Sequence, residues 1–103
     1  MAAELTVIRW RDIPMQVVAR SGKTSARRLL PDRFQEAVDA SAMVAGLIDS
    51  DDYTNEMGMD RRECGDDLDT EAQQEADRIE ADWTDDVLKA TIRAAGFRRK
   101  ELA

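Results

Sequence analysis

Two short runs rich in Val, Ile and Trp, residues 5–10 and 15–20, stand four residues apart, and that spacing constrains the fold more than any other feature of the chain. Both runs alternate in character as half-buried strands do. Between them lies Arg11-Asp12-Ile13-Pro14. Its proline lacks a ladder donor and has a fixed φ, which suits a connection rather than a strand interior. The pattern predicts an antiparallel hairpin with Leu5, Val7, Ile8, Val17 and Val18 in the core. Ser21-Gly22-Lys23 then predicts a second tight turn, because glycine enters positive φ without steric cost. A third strand is expected over residues 24–30.

Leu30-Pro31-Asp32 opens a helix: proline is tolerated in the first turn, and Asp32 faces the positive end of the dipole. Phe34, Ala37, Val38, Ser41, Val44, Ala45 and Ile48 recur at helical spacing, so this face should lie on the sheet. Gly46 either caps the helix or is carried for one more turn. Residues 49–69 combine glycines and acids with weak periodicity and read as an acidic loop, with a short helix over residues 51–57 started by Ser50. Thr70-Glu71-Ala72-Gln73 matches a capping box. Ala72, Ala76, Ile79, Trp83, Val87, Ala90 and Ala94 follow at close to 3.6 residues, predicting a long amphipathic helix with a break at Thr84. Gly96-Phe97 reads as its glycine cap, with Arg98, Arg99 and Lys100 beside the negative dipole end.

The expected fold is therefore α+β, a three-stranded antiparallel meander packed against two main helices. A length of 103 residues allows one hydrophobic core, so residues 1–103 are read as one domain. Its first part, residues 5–53, is meander plus helix; its second, residues 54–103, is acidic loop plus amphipathic helix. The single cysteine, Cys64, excludes an internal disulfide, and the first residues lack the basic and apolar pattern of a signal peptide. A cytoplasmic location is expected, with no membrane span, since the apolar stretches fall well short of about 20 residues.

The net charge of -7 conceals an asymmetry. Residues 1–34 hold seven basic side chains (Arg9, Arg11, Arg20, Lys23, Arg27, Arg28 and Arg33) against Glu4, Asp12 and Asp32. The acids dominate the rest. Pairing between the two sets is favoured over binding of nucleic acid, because only Trp10 and Phe34 accompany the arginines as stacking groups.

Histidine is absent, which removes the commonest general base and the commonest zinc ligand. Cys64 sits among Glu63, Asp66 and Asp67, which raise a thiol pKa, so it reads as an incidental thiol. Ser21-Gly22-Lys23-Thr24 lacks the earlier glycine of a phosphate loop, and the acids of residues 49–60 miss calcium-loop spacing at Tyr53 and Thr54. No metal or other cofactor is called for. What stands out is Arg9-Trp10-Arg11-Asp12-Ile13-Pro14, which joins an aromatic, two guanidiniums and a carboxylate to a proline-fixed loop. It reads either as a Trp packed on the core with an Arg–Asp pair closing the turn, or as an exposed recognition surface.

Trp10-Arg11-Asp12-Ile13-Pro14-Met15-Gln16-Val17, followed by Leu30-Pro31-Asp32-Arg33-Phe34-Gln35, Val38-Asp39 and Ala42-Met43, resembles the bacterial virulence factor domain family in order and spacing. The resemblance covers residues 5–53. It implies a small stand-alone relative of the domain found at the C-terminus of conserved virulence factor C. It also implies an accessory role in one-carbon metabolism, since similar proteins are encoded near folate enzymes such as methylenetetrahydrofolate reductase. It implies no active site.

The expected function is that of a small accessory or interaction protein with a protein partner, contacting it through Arg9, Trp10, Arg11, Asp12, Pro14 and Gln16, with Arg33 near by. In the rival reading the chain is an enzyme or ligand-binding domain in which Arg11 holds an anionic substrate and Asp12 acts as acid or base. A third reading is nucleic-acid binding through the basic strands. A homodimer through a sheet edge is compatible with the sequence, although edge arginines oppose it.

Overall fold

The computed structural model describes residues 3–47 and 51–98. Strands β1 (Ala3–Trp10), β2 (Ile13–Ser21) and β3 (Thr24–Leu29) form the expected meander, followed by helix α1 (Asp32–Ala45). A short helix α2 (Asp51–Asn55) leads into a fourth strand, β4 (Met57–Cys64), and then come helices α3 (Leu68–Asp82) and α4 (Asp85–Arg93). All neighbours are antiparallel, in the order β3-β2-β1-β4. The class is α+β, and the described residues hold four strands where the sequence suggested three and four helices where it suggested two main ones.

Strand β4 occupies residues read as an acidic loop. Its sequence, Met-Gly-Met-Asp-Arg-Arg-Glu-Cys, has charged side chains on both faces and so gives no two-residue apolar period. It becomes a strand by pairing with β1 from Ala3↔Cys64 to Trp10↔Met57. The proline also departs from expectation. The loop is only Arg11-Asp12, and Pro14 lies inside β2 opposite Arg9, at a bulge where the register slips from Ile8↔Gln16 to Arg9↔Pro14. A bulge is one of the places where a strand tolerates a missing donor.

Residues opposite one another in an antiparallel pair share a face. One face therefore carries Leu5, Val7, Val17, Ala19 and Ala26, and here the core gathers. The other carries Ile8, half-buried and outside the core cluster, and Val18, which is 7% exposed. Val18 is buried as expected, whereas Ile8 stays outside the core because consecutive residues of a strand point to opposite faces.

The covering helix is α3, which lies against β2 and β3 and touches β1; α1 packs against α4 and β2 instead. Phe34, Ala37, Val38, Ser41 and Ala42 of α1 are buried, but Val44 is 56% exposed, because the stripe turns away from the protein in the last turn. Gly46 caps α1 in the left-handed conformation. The expected apolar contact of Ile48 and the cap at Ser50 lie outside the described residues, as do Arg99 and Lys100.

Helix α3 starts earlier than the capping box suggested: Asp67 is the N-cap, and its carboxylate accepts from the Thr70 N–H at 3.2 Å. The break falls at Trp83-Thr84, where the Thr84 hydroxyl accepts from the Val87 N–H and starts α4. No helix among the described residues is long and apolar enough to cross a membrane.

Candidate functional site

The hairpin singled out by the sequence folds inward. Trp10 is fully buried, its indole N–H donating to the Tyr53 carbonyl at 2.8 Å and its ring 5.5 Å from that of Tyr53. Pro14 is buried as well. Arg11 has a φ of 50°, the left-handed region that favours glycine, in the first position of a two-residue hairpin loop. Its side chain accounts for an arginine there. The guanidinium donates to the Ala95 carbonyl at 2.7 Å and to Glu56 Oε1 at 2.9 Å, and lies over the rings of Trp10 (5.2 Å) and Phe97 (4.6 Å). Its backbone N–H donates to the Glu56 carbonyl. Arg11 thus ties the hairpin to the end of α2 and to the turn after α4.

Asp12 does not pair with Arg11. Its carboxylate accepts from the Arg98 N–H at 2.7 Å, and its own N–H donates to the Gly96 carbonyl. Gly96, at φ 97°, leaves room for this junction: a Cβ there would lie 2.8 Å from the Trp10 ring. Arg98 in turn stacks on Trp83 and pairs with Asp82. Arg9 points to the core-bearing face, pairs with Asp60 at 3.0 Å, donates to the Arg11 carbonyl, and crosses β4 where Gly58 has no side chain to obstruct it.

Arg33 serves a separate purpose. Its guanidinium donates to the Trp83 and Glu80 carbonyls, the free end of α3, and sits 3.5 Å from Asp85 at the start of α4. Those carbonyls lack intrahelical partners and carry the negative dipole end, so the arginine caps one helix while bridging to the next. Gln16 lies on the face opposite Arg9, in register with Ile8 and Leu29. The expected contact surface is therefore divided: Trp10, Arg11 and Pro14 are interior, Arg33 is at the helix junction, and Gln16 faces the other way.

A cleft of about 270 Å³ opens between the core-bearing face and α3. Leu5, Val7, Pro14, Ile79 and Trp83 give it apolar walls, Arg9, Asp12, Asp60, Arg62 and Glu75 supply charge, and Arg61 borders it from β4. Asp12 lines this cleft and Arg11 does not. Arg62 pairs with Glu75 at 3.1 Å, and Arg78 reaches the same carboxylate. Cys64 lies at the far end of β4. Burial foremost, and then Glu71 and Asp66, push its thiol above its ordinary value, opposed by Arg62. A raised pKa withholds the thiolate at neutral pH.

The opposite face is the more open one, with Leu29 and Met59 exposed at its edges although Val18 at its centre is buried, and periodicity alone could not identify it, since nothing local tells which face of β1 the helices cover. The register gives it three rows across the strands. Leu29, Gln16, Ile8 and Met59 form one; Arg27, Val18, Thr6 and Arg61 the next; Ser25, Arg20, Glu4 and Glu63 the third. Leu29 is 76% exposed and Met59 57%.

Searches of curated proteins and of solved structures give no match. A family model described as virulence factor matches residues 8–92, from β1 through most of α4, well past the Tyr53 limit of the motifs quoted above. The match spans the hairpin, the fourth strand and the helices, and the chain belongs to the virulence factor family.

Proposed function

We propose that this chain is a small interaction protein that binds another protein through the open face of its sheet. The observation that carries the reading is the row Leu29, Gln16, Ile8 and Met59, which holds two largely exposed apolar side chains at its ends with half-buried Gln16 and Ile8 between them. Exposed apolar side chains interspersed with polar groups suit a protein interface, in which Met and Arg are enriched. Of the contact residues expected from the sequence, Gln16 lies in this surface. Arg9, Trp10, Arg11, Asp12, Pro14 and Arg33 support it from within by fixing the hairpin and the helices. The family resemblance makes a cytoplasmic enzyme of one-carbon, folate-dependent methyl transfer the first partner to test.

The test is affinity capture from native lysate with the wild type and with Leu29→Ser, Met59→Ser. One protein should co-purify stoichiometrically with the wild type and be lost with the variant, whose circular dichroism should be unchanged. Equal recovery by both would overturn the reading.

A ligand-binding role has one observation in its favour, the cleft beside Asp12. There Arg9 or Arg62, not Arg11, would meet an anion, and both already face carboxylates. Binding of a small anion that is abolished by Arg9→Gln would favour this alternative. For nucleic acid the case is weaker, since Arg9, Arg11, Arg28 and Arg33 pair with Asp60, Glu56, Asp69 and Asp85.

A further inference from the structure

The arginines of the two sheet faces differ in what they meet. On the covered face, Arg9, Arg28 and Arg62 each pair with a carboxylate, namely Asp60, Asp69 and Glu75. On the open face, Arg20, Arg27 and Arg61 have no carboxylate partner among the described residues, and Arg61 reaches only the Met59 sulfur, at 3.7 Å. In a chain of net charge -7, three arginines without an ion pair on one face are a distinct feature, and the carboxylates of that face, Glu4 and Glu63, both stand in the row of Arg20, away from Leu29, Ile8 and Met59. Arg27 and Arg61 occupy the ends of one row, flanking Val18 and Thr6, directly beside the row of Leu29, Ile8 and Met59.

From this we infer that the open face receives an acidic amphipathic helix of a partner protein, its apolar stripe on Leu29, Ile8 and Met59 and its carboxylates on Arg27 and Arg61. The inference rests on the interaction reading above and specifies the partner's chemistry. A helix fits better than an extended segment, because a sheet face offers side chains rather than backbone groups. A strand laid on it would keep its N–H and C=O groups unpaired, whereas a helix satisfies its own. The dimensions agree: the outer strands are about 14 Å apart, three strand spacings. Carboxylates two turns apart on a helix are separated by about 11 Å, within the reach of arginines leaning inward. A second copy is disfavoured, since each face carries three arginines against two carboxylates, Glu4 and Glu63, and a face-to-face pair would set two surfaces of the same net sign together. RNA is disfavoured because the three rows contain no aromatic side chain on which a base could stack.

The experiment places a photo-reactive diazirine amino acid at position 29 or, separately, at position 59 of the full chain, with position 77 on the outer side of α3 as control. Each protein is irradiated in native lysate and the cross-linked peptides are sequenced. The expected product is a peptide of another protein with acidic and apolar residues at helical spacing. Its yield should fall roughly tenfold or more in Arg27→Glu, Arg61→Glu, as expected when attractive charge pairs become repulsive. Raising the salt from about 50 mM to about 500 mM should weaken it in the unaltered protein, which guards against misfolding of the variant. Cross-links to a basic or neutral segment, to nucleic acid or to a second copy would overturn the inference while leaving a docking face. A yield insensitive to both charge reversal and salt would do the same. No cross-link above that of position 77 would overturn the interaction reading as well.

Discussion

Arg11 offers the sharpest test of how the hairpin is held, because its backbone and its side chain favour different residues. The φ of 50° favours glycine by about 1 kcal/mol over a residue with a Cβ. The side chain favours arginine. Its bond to the Ala95 carbonyl, from a group only 12% exposed, contributes about 2 kcal/mol. The pair with Glu56 contributes about 1 kcal/mol, since that carboxylate is 37% exposed and rehydrates when abandoned. Stacking on Trp10 and Phe97 adds about 1 kcal/mol. Against these, the buried Nε has no partner, and removing it returns about 1 kcal/mol. Arg11→Ala should therefore destabilise the protein by about 3 kcal/mol, and Arg11→Gly by only about 2 kcal/mol, because glycine relieves the backbone. With a urea slope of about 1.5 kcal/mol per molar, the midpoints should fall by about 2 M and about 1.3 M. The assay is urea unfolding followed by far-ultraviolet circular dichroism. The reasoning is refuted if both variants unfold within about 0.3 M of the wild type, or if the glycine variant is the less stable of the two.

Gly96→Ala combines a φ of 97° with a Cβ 2.8 Å from the Trp10 ring and 3.1 Å from the Arg11 stem, so it should cost about 3 kcal/mol or more in the same assay and shift the tryptophan emission as Trp10 is displaced. Trp10→Phe leaves the Tyr53 carbonyl without its donor and vacates part of a filled site, for an expected loss of about 2–3 kcal/mol in thermal or urea unfolding. Asp67→Ala removes the cap of α3 and should lower stability by about 1 kcal/mol, with Asp67→Asn recovering most of it. For Cys64 the sign follows from its raised pKa: at pH 8 less thiolate is present folded than unfolded, so iodoacetamide should alkylate the native protein more slowly than the urea-unfolded chain. Stability contributed by the protonated thiol is fully present below the unfolded pKa and declines as the pH rises through the higher folded value.

The sequence by itself determined the elements whose signals are local. Valine- and isoleucine-rich runs around a short loop specify the β1–β2 hairpin, Gly22 its continuation into β3, and Pro31-Asp32 with the 3.6-residue stripe the helix α1. The interruption at Thr84 was legible for the same reason, since a hydroxyl that can cap a new helix sits at the break. The family was legible too, through motifs confined to residues 10–43. Charge pairing between the basic first third and the acidic remainder followed from composition, and Arg9, Arg11, Arg28 and Arg33 carry it out.

Tertiary structure alone decided the rest. Residues 57–64 have no apolar alternation, and they are a strand because β1 offers them an unpaired edge. Whether Val7 or Ile8 meets the core depends on which face the helices cover, and α3 settles that from more than fifty residues away in the chain. The hairpin allowed two readings, a Trp packed on the core or a recognition surface; Trp10 is packed on the core, and the carbonyls of Tyr53 and Ala95 that engage Trp10 and Arg11 fold back from parts of the chain a local pattern does not reach. The more open face was hidden for the same physical reason: a strand's two-residue period defines two faces, and only packing distant in sequence decides which of them α3 covers.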